Sequence, residues 1–87
     1  MAVVIVNHRV KDYLEWKRNY EADRARRESA GMKELALGRR MDAPDHVYIV
    51  YEFTDNAAFQ KMLGEEDFMQ RMEDSGVIGV PELIPLV

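Results

Sequence analysis

The chain has 87 residues without a cysteine, and its 12 basic and 16 acidic side chains leave a formal charge of −4 at pH 7. This length allows one compact domain, and the lack of cysteine excludes disulfides, zinc–thiolate sites and a thiol nucleophile. The acidic balance argues against nucleic acid as the main partner, and the longest apolar run is too short to span a bilayer. We therefore expect a single domain over residues 1–87 that is cytoplasmic and binds neither nucleic acid nor membrane.

The first third of the chain predicts a strand followed by a helix. Residues 2–10 are rich in β-branched side chains and predict the first strand. Asp12 and Glu15 have the spacing of a capping box, so a helix is expected to begin there and to end at Gly31. Three aromatic side chains recur at helical spacing along it: Tyr13, Trp16 and Tyr20.

The remaining elements complete a βαββαβ order. Strands are predicted over residues 33–41 and 46–53, on either side of a Pro- and Asp-containing turn. A second helix is predicted from residue 54 or 55 to 74. Residues 77–87 form a last extended segment, and its two prolines fit only an edge strand or a bulge.

A weak internal repeat supports a ferredoxin-like fold. A shift of 43 positions places Asp12 on Asp55 and Trp16 on Phe59, which suggests two βαβ-type units of equal spacing. We expect an α+β domain with a four-stranded antiparallel sheet and two helices on one face. The same shift predicts that the first and third strands are parallel neighbours, and it places His8 beside Tyr51.

The two central strands are apolar on both faces, although the helices can cover only one. The uncovered face would be a large apolar patch, which monomers rarely expose, and a domain of this size has a marginal core. We therefore expect a homodimer. Its predicted interface residues include Arg9 and Glu52 as a pair matched by the repeat, and the full set is Val3, Ile5, Arg9, Tyr48, Val50 and Glu52.

Three segments resemble a known family. They are His8-Arg9-Val10-Lys11-Asp12-Tyr13-Leu14-Glu15-Trp16-Lys17, the turn Asp42-Ala43-Pro44-Asp45, and Gly76-Val77-Ile78-Gly79-Val80-Pro81-Glu82. With them the chain resembles the dimeric α+β barrel superfamily, and in particular its small antibiotic-biosynthesis-monooxygenase-like and cyclase-like proteins. The resemblance implies a homodimer whose sheets pack face to face, with a pocket between sheet and helices in each subunit.

The catalytic signature of that family is incomplete in this sequence. Its cofactor-independent monooxygenases and haem-degrading members use an Asn on the first strand, a Trp on the second helix and a nearby Tyr or His. Asn7 lies near the right place, but strand parity turns it towards the dimer interface unless a bulge turns it towards the pocket. The second helix offers Phe59 and Phe68 in place of a Trp, and the single Trp of the chain lies on the first helix.

His8 and Tyr51 are the candidate catalytic residues. Strand parity aims both at the helix-covered face, where an imidazole and a phenol could orient or deprotonate a phenolic or enolic substrate. A strand-end histidine with a purely structural role is the more common alternative. The predicted ligand-binding residues are Trp16, Tyr20, Phe59 and Phe68. A core role is the commoner one for a Trp placed as Trp16 is, and it is compatible with a pocket beneath the helix.

The sequence predicts no metal site and no cofactor. Its two histidines lie on opposite sheet faces, and no phosphate-binding loop or nucleophile elbow occurs. The arginines at 24, 26 and 27 are most simply a solvated helix end, and the alternative is that one reaches an anionic ligand. Three functions stay open: a cofactor-independent monooxygenase, cyclase or isomerase acting on a small aromatic or polyketide-like compound, a non-catalytic dimer that binds such a ligand, and an accessory protein without a pocket.

Overall fold

The computed structural model describes residues 2–54, 57, 60, 61, 64 and 68–86, and of Phe68 and Met69 it describes the backbone only. The elements follow in chain order: β1 (Ala2–Val10), α1 (Tyr13–Ala22), α2 (Arg24–Ser29), β2 (Met32–Arg39), β3 (His46–Phe53), α3 (Phe68–Asp74) and β4 (Val77–Leu86). The predicted α+β order is confirmed. The start of the predicted second helix lies outside the described residues.

The helix predicted over residues 12–30 is divided in two. Its start is as predicted, because the Asp12 carboxylate accepts a hydrogen bond from the backbone N–H of Glu15 at 3.1 Å. The regular helix then ends at Asp23, whose N–H donates to the Tyr20 carbonyl at 3.2 Å in a tighter turn. Gly31 follows α2 with φ of +85°, a conformation that favours glycine and lets the chain enter β2.

The sheet has the order β2-β3-β1-β4, and all its pairings are antiparallel. β4 lies at an edge, as its prolines predict. The prediction that β1 and β3 are parallel neighbours is wrong, because β1 runs antiparallel to β3, with Val4 opposite Tyr51 and His8 opposite Val47. The internal repeat relates the two halves by a rotation that reverses strand direction, so residues matched along the sequence are not matched across the sheet.

The same register corrects the predicted pair of Arg9 and Glu52. Arg9 lies opposite His46 and pairs with the Asp45 carboxylate at 3.0 Å, at an exposed end of the strand. Glu52 lies opposite Val3 and Lys33, near the other end of the sheet. The two residues are therefore separated by most of the length of the strands.

The sheet has a helix-covered face and an open face. The buried core lies on the covered face, where Trp16 and Tyr20 of α1 and Met72 of α3 pack against the central strands. We call the opposite side the open face; its residues include Val3, Ile5, Asn7, Arg9, Lys33, Ala36, Gly38, His46, Tyr48, Val50, Glu52, Glu82, Ile84 and Leu86. Its apolar end is only partly covered within the chain, since Ile84 is 36% and Leu86 43% exposed.

Candidate functional site

A cavity of about 410 Å³ lies between the covered face of the sheet and the helices. Its floor is formed by the central strands, its walls by α1 and α2, and its far side by α3 and the start of β4. The described residues that line it are Val6, His8, Trp16, Asn19, Tyr20, Ala22, Asp23, Arg26, Arg27, Met32, Ile49, Tyr51, Arg71, Met72, Asp74, Ser75, Val77 and Leu83. This volume is in the range of small-molecule sites in proteins.

One wall of the cavity is a continuous row of aromatic rings. The His8 imidazole meets the Trp16 indole edge-on, with 5.4 Å between ring centroids. Trp16 in turn stacks on Tyr20 at 4.8 Å with 23° between the planes. The spacing of these two side chains along α1, four residues apart, places them on the same side of the helix. The row presents a broad, flat and largely apolar surface.

His8 is buried and electrically neutral. It is 4% exposed, and burial together with the nearby charge of His46 lowers its pKa from 6.5 to about 4. Its Nδ1 is buried, and no residue that the structure describes forms a hydrogen bond with that atom. Such an unpaired polar atom is costly in a folded protein, so a hydrogen bond from a ligand at this position would be favourable. At neutral pH the ring can donate or accept a hydrogen bond with a ligand, although it is a weak base.

Two tyrosines form a hydrogen-bonded chain that runs from the cavity to the exposed residue Glu34. The Tyr51 hydroxyl donates to the Tyr20 oxygen at 2.9 Å, and the Tyr20 hydroxyl donates to the Glu34 carboxylate at 2.7 Å. Burial raises the pKa of Tyr51 to about 12. Burial also raises the pKa of Tyr20, and the neighbouring Tyr51 adds to this upward shift. Both phenols therefore stay protonated across the physiological range.

Arg27 supports the cavity wall from behind Tyr20. Its guanidinium lies 3.6 Å from the centroid of the Tyr20 ring, and its Nη1 donates to the Tyr20 carbonyl at 2.5 Å. The residue is only 7% exposed. Instead of forming a solvated helix end, this arginine is part of the packed interior.

The entrance of the cavity is charged. Asp23 and Arg26 form a fork-like pair in which Nε of the arginine lies 2.8 Å from the carboxylate. Hydrogen bonds from Arg26 lower the pKa of Asp23, and the charges of Arg27 and Arg71 contribute to this shift. The cavity thus has an apolar interior and a polar rim.

The predicted site residues are only partly brought together. Four of them line the cavity: His8, Trp16, Tyr20 and Tyr51. His8 and Tyr51 share the covered face, but they are not adjacent as predicted, because the β1 residue opposite Tyr51 is Val4, four positions before His8. Phe59 lies outside the described residues, and the side chain of Phe68 is likewise outside them.

Asn7 points away from the cavity. Its side chain is on the open face, where Nδ2 donates to the Glu82 carboxylate at 2.8 Å and Oδ1 lies 3.0 Å from Nε2 of His46. It is 7% exposed. The pairing of β1 with β4 shifts register only after this residue, so no bulge turns Asn7 to the other face.

Arg27 and Glu34 have roles at this site that sequence reasoning missed. Arg27 follows Tyr20 by seven residues, a spacing that places both on one side of a helix and that could have revealed the contact. Glu34 had no comparable signal. Its approach to Tyr20 depends on the register of β2 against β3, which shifts between Glu34 and Ala36.

The described residues give no sign of a metal centre. No group of three or more His, Asp or Glu side chains among them is arranged to hold an ion. In the described part of the chain, every helix is too short or too polar to cross a membrane.

Comparison with known proteins shows what this arrangement is similar to. No protein-family model and no curated protein matches the sequence. Solved structures do match. A putative antibiotic biosynthesis monooxygenase from Caulobacter crescentus has a TM-score of 0.73 at 14% identity, over 98% of this chain and 86% of that one. SnoaB, a cofactor-independent oxygenase from Streptomyces nogalater, has a TM-score of 0.71 at 19% identity, over 99% and 91%.

The chain has the fold of the antibiotic biosynthesis monooxygenase-like proteins. The resemblance drawn from the sequence is therefore confirmed at the level of the fold. An uncharacterized NIPSNAP domain protein from Burkholderia xenovorans matches equally well, with a TM-score of 0.70 at 12% identity over 100% of this chain and 93% of that one. Identities this low show a shared fold and leave the activity to be argued from the site.

Proposed function

We propose that the chain is a homodimeric, cofactor-independent monooxygenase or cyclase-type enzyme that acts on a small aromatic or polyketide-like compound. The observation that carries this proposal is the aromatic-walled cavity, in which His8 and Tyr51 on the strands add polar groups to the apolar floor formed by Val6, Ile49 and Leu83. Apolar concavities with a few convergent polar groups are typical of small-molecule sites. The fold shared with SnoaB supports the same proposal. We include a cytoplasmic location, since a chain without cysteine gains nothing from an oxidising compartment.

The cavity is suited to a flat ligand. A planar ring system can pack along the row formed by His8, Trp16 and Tyr20, and an apolar interior excludes water from an oxygen-sensitive carbanion or phenolate. A neutral imidazole orients such a ligand by a hydrogen bond. Its low pKa makes it less suited to removing a proton outright.

The homodimer is proposed on the open face. The four strands span about 19 Å and their paired length is about 26 Å, giving a projected area of roughly 500 Å². Two such faces together give about 1,000 Å², which is the lower limit for a biological interface. Ile5 and Val50, which lie opposite each other, would be near its centre, and Val3, Glu52 and Tyr48 would be towards its borders. Arg9, which pairs with Asp45 at the exposed strand end, would lie at the rim.

Oxygen uptake tests the enzymatic proposal. With 1,8-dihydroxyanthrone as substrate, the methylene carbon would take up one O₂, become a carbonyl and release one water, with no external reductant. We expect oxygen consumption and quinone formation to rise above the uncatalysed rate in proportion to enzyme concentration. If the anthrone binds and no rate above background is seen, the enzymatic proposal is wrong for this substrate class.

Ligand binding without turnover is a second candidate, favoured by two observations. Asn7, the residue at the place of the catalytic asparagine in the family, faces away from the cavity. His8 has its pKa lowered to about 4, which leaves it poorly matched to general-base work near neutral pH. Saturable binding of the anthrone with no oxygen uptake would decide for this candidate.

Replacement of His8 tests the site under either candidate. We expect His8→Ala to weaken binding or turnover ten- to a hundredfold, about 1.4–3 kcal/mol, while the dimer stays intact. His46→Ala is the matched control, because His46 lies on the open face, and it should leave binding unchanged. Calorimetric titration and light scattering measure the two effects. Loss of the dimer in His8→Ala would make His8 a structural residue.

A further inference from the structure

The hydrogen-bonded chain that runs from Tyr51 through Tyr20 to Glu34 has a fixed direction. A carboxylate can only accept hydrogen bonds, so Glu34 requires the Tyr20 hydroxyl to point towards it. The Tyr20 oxygen then accepts the proton of Tyr51. The Tyr51 oxygen is therefore left with lone pairs alone to offer, and none of the described residues donates to it.

From this we infer that the cavity selects planar aromatic ligands that carry a hydroxyl group, which donates its hydrogen bond to the Tyr51 oxygen. This inference rests on the proposed function and adds the substrate class to it: phenols or enols rather than their ethers or ketones. Glu34 acts here as a positioning residue. It does not line the cavity, yet it determines whether the Tyr51 hydroxyl presents an acceptor or a donor to a ligand.

The ring geometry is consistent with this selection. Arg27 lies over the Tyr20 ring and donates a hydrogen bond to the backbone carbonyl of Tyr20. These contacts fix the ring, so its hydroxyl stays between Tyr51 and Glu34. Burial keeps Tyr51 protonated, with a pKa of about 12, so the chain is not broken by ionisation of that phenol. A methyl ether at the same place has no proton to donate to the Tyr51 oxygen, so this hydrogen bond would be lost.

A matched pair of probes tests the inference. The ligands 2-naphthol and 2-methoxynaphthalene differ by one hydrogen-bond donor, and their dissociation constants are measured by calorimetry with the wild-type protein and with Glu34→Gln. The glutamine amide can donate to Tyr20, so the chain can reverse and Tyr51 can point its own proton into the cavity. We expect the preference for 2-naphthol to be about five- to tenfold stronger in the wild type than in Glu34→Gln.

Two further variants make the test specific. Tyr51→Phe should lose the preference as Glu34→Gln does, because the acceptor is removed. Glu28→Gln removes the same charge from an exposed position on α2, outside the cavity lining, and should keep the wild-type preference. If both probes bind and the preference is the same in wild type and Glu34→Gln, this inference is wrong while the proposed function stands. If neither probe binds the wild type, both fail.

Discussion

Val50→Asp is expected to convert the protein from a dimer to a monomer and to lower its free energy of unfolding by at least a few kcal/mol. Val50 is at the middle of the open face, opposite Ile5 on one side and Ala36 on the other. In the proposed dimer a carboxylate there would be buried without a partner, and that cost exceeds what an interface of this size can absorb. Loss of the dimer and loss of stability should therefore occur together.

Light scattering coupled to size exclusion measures the mass, which should fall from about twice 10.1 kDa to 10.1 kDa. Urea unfolding at several protein concentrations measures the stability. Met41→Asp is the control, because Met41 is fully exposed in the turn between β2 and β3 and should change neither quantity. A wild-type protein that is monomeric at micromolar concentration would contradict the dimer.

The second large effect is a loss of stability in weak acid that depends on His8. In the folded protein the pKa of His8 is lowered from 6.5 to about 4, so the unfolded chain binds a proton that the folded chain refuses. The contribution of neutral His8 to the free energy of unfolding is fully present above pH 6.5 and is lost as the pH falls towards 4. A depression of this size corresponds to about 3 kcal/mol.

A variant with a ring that does not titrate isolates this effect. His8→Phe retains a flat ring against Trp16, and we expect its free energy of unfolding to be nearly constant between pH 6.5 and 4.5. His46→Gln should keep most of the slope of the wild type, because burial is the largest cause of the lowered pKa of His8 and the charge of His46 is the smaller one. The carboxylates whose pKa values are lowered, Asp23 and Asp45 among them, lose their contributions at lower pH and do not obscure this window. An equal slope in His8→Phe would contradict the assignment.

Much of the fold could be predicted because it depends on local patterns. The cap at Asp12, the break at Gly31 and the edge position of a strand with two prolines each follow from the preferences of one or two residues. Parity along β1 also placed His8 on the covered face and Asn7 on the open one. These are properties that a strand has regardless of its neighbours.

The register between strands could not be predicted in the same way. A repeat along the sequence indicates that two units resemble each other, but it does not say how one is rotated onto the other. For this reason the repeat predicts Tyr51 beside His8, whereas in the sheet the residue opposite His8 is Val47. The contacts of Tyr20 with Arg27 and Glu34 depend on a helix break and a strand bulge, and both are decided by tertiary packing.

The most direct test of a ligand site on the covered face is an NMR titration with 2-naphthol. The chain has a single Trp, so the indole N–H of Trp16 gives one resolved signal at the cavity wall. We predict saturable shifts of this signal and of the His8 and Tyr51 amides, while the amides of Ile84 and Leu86 on the open face stay in place. Shifts confined to the open face, or no shift of the Trp16 indole at saturating ligand, would contradict the account.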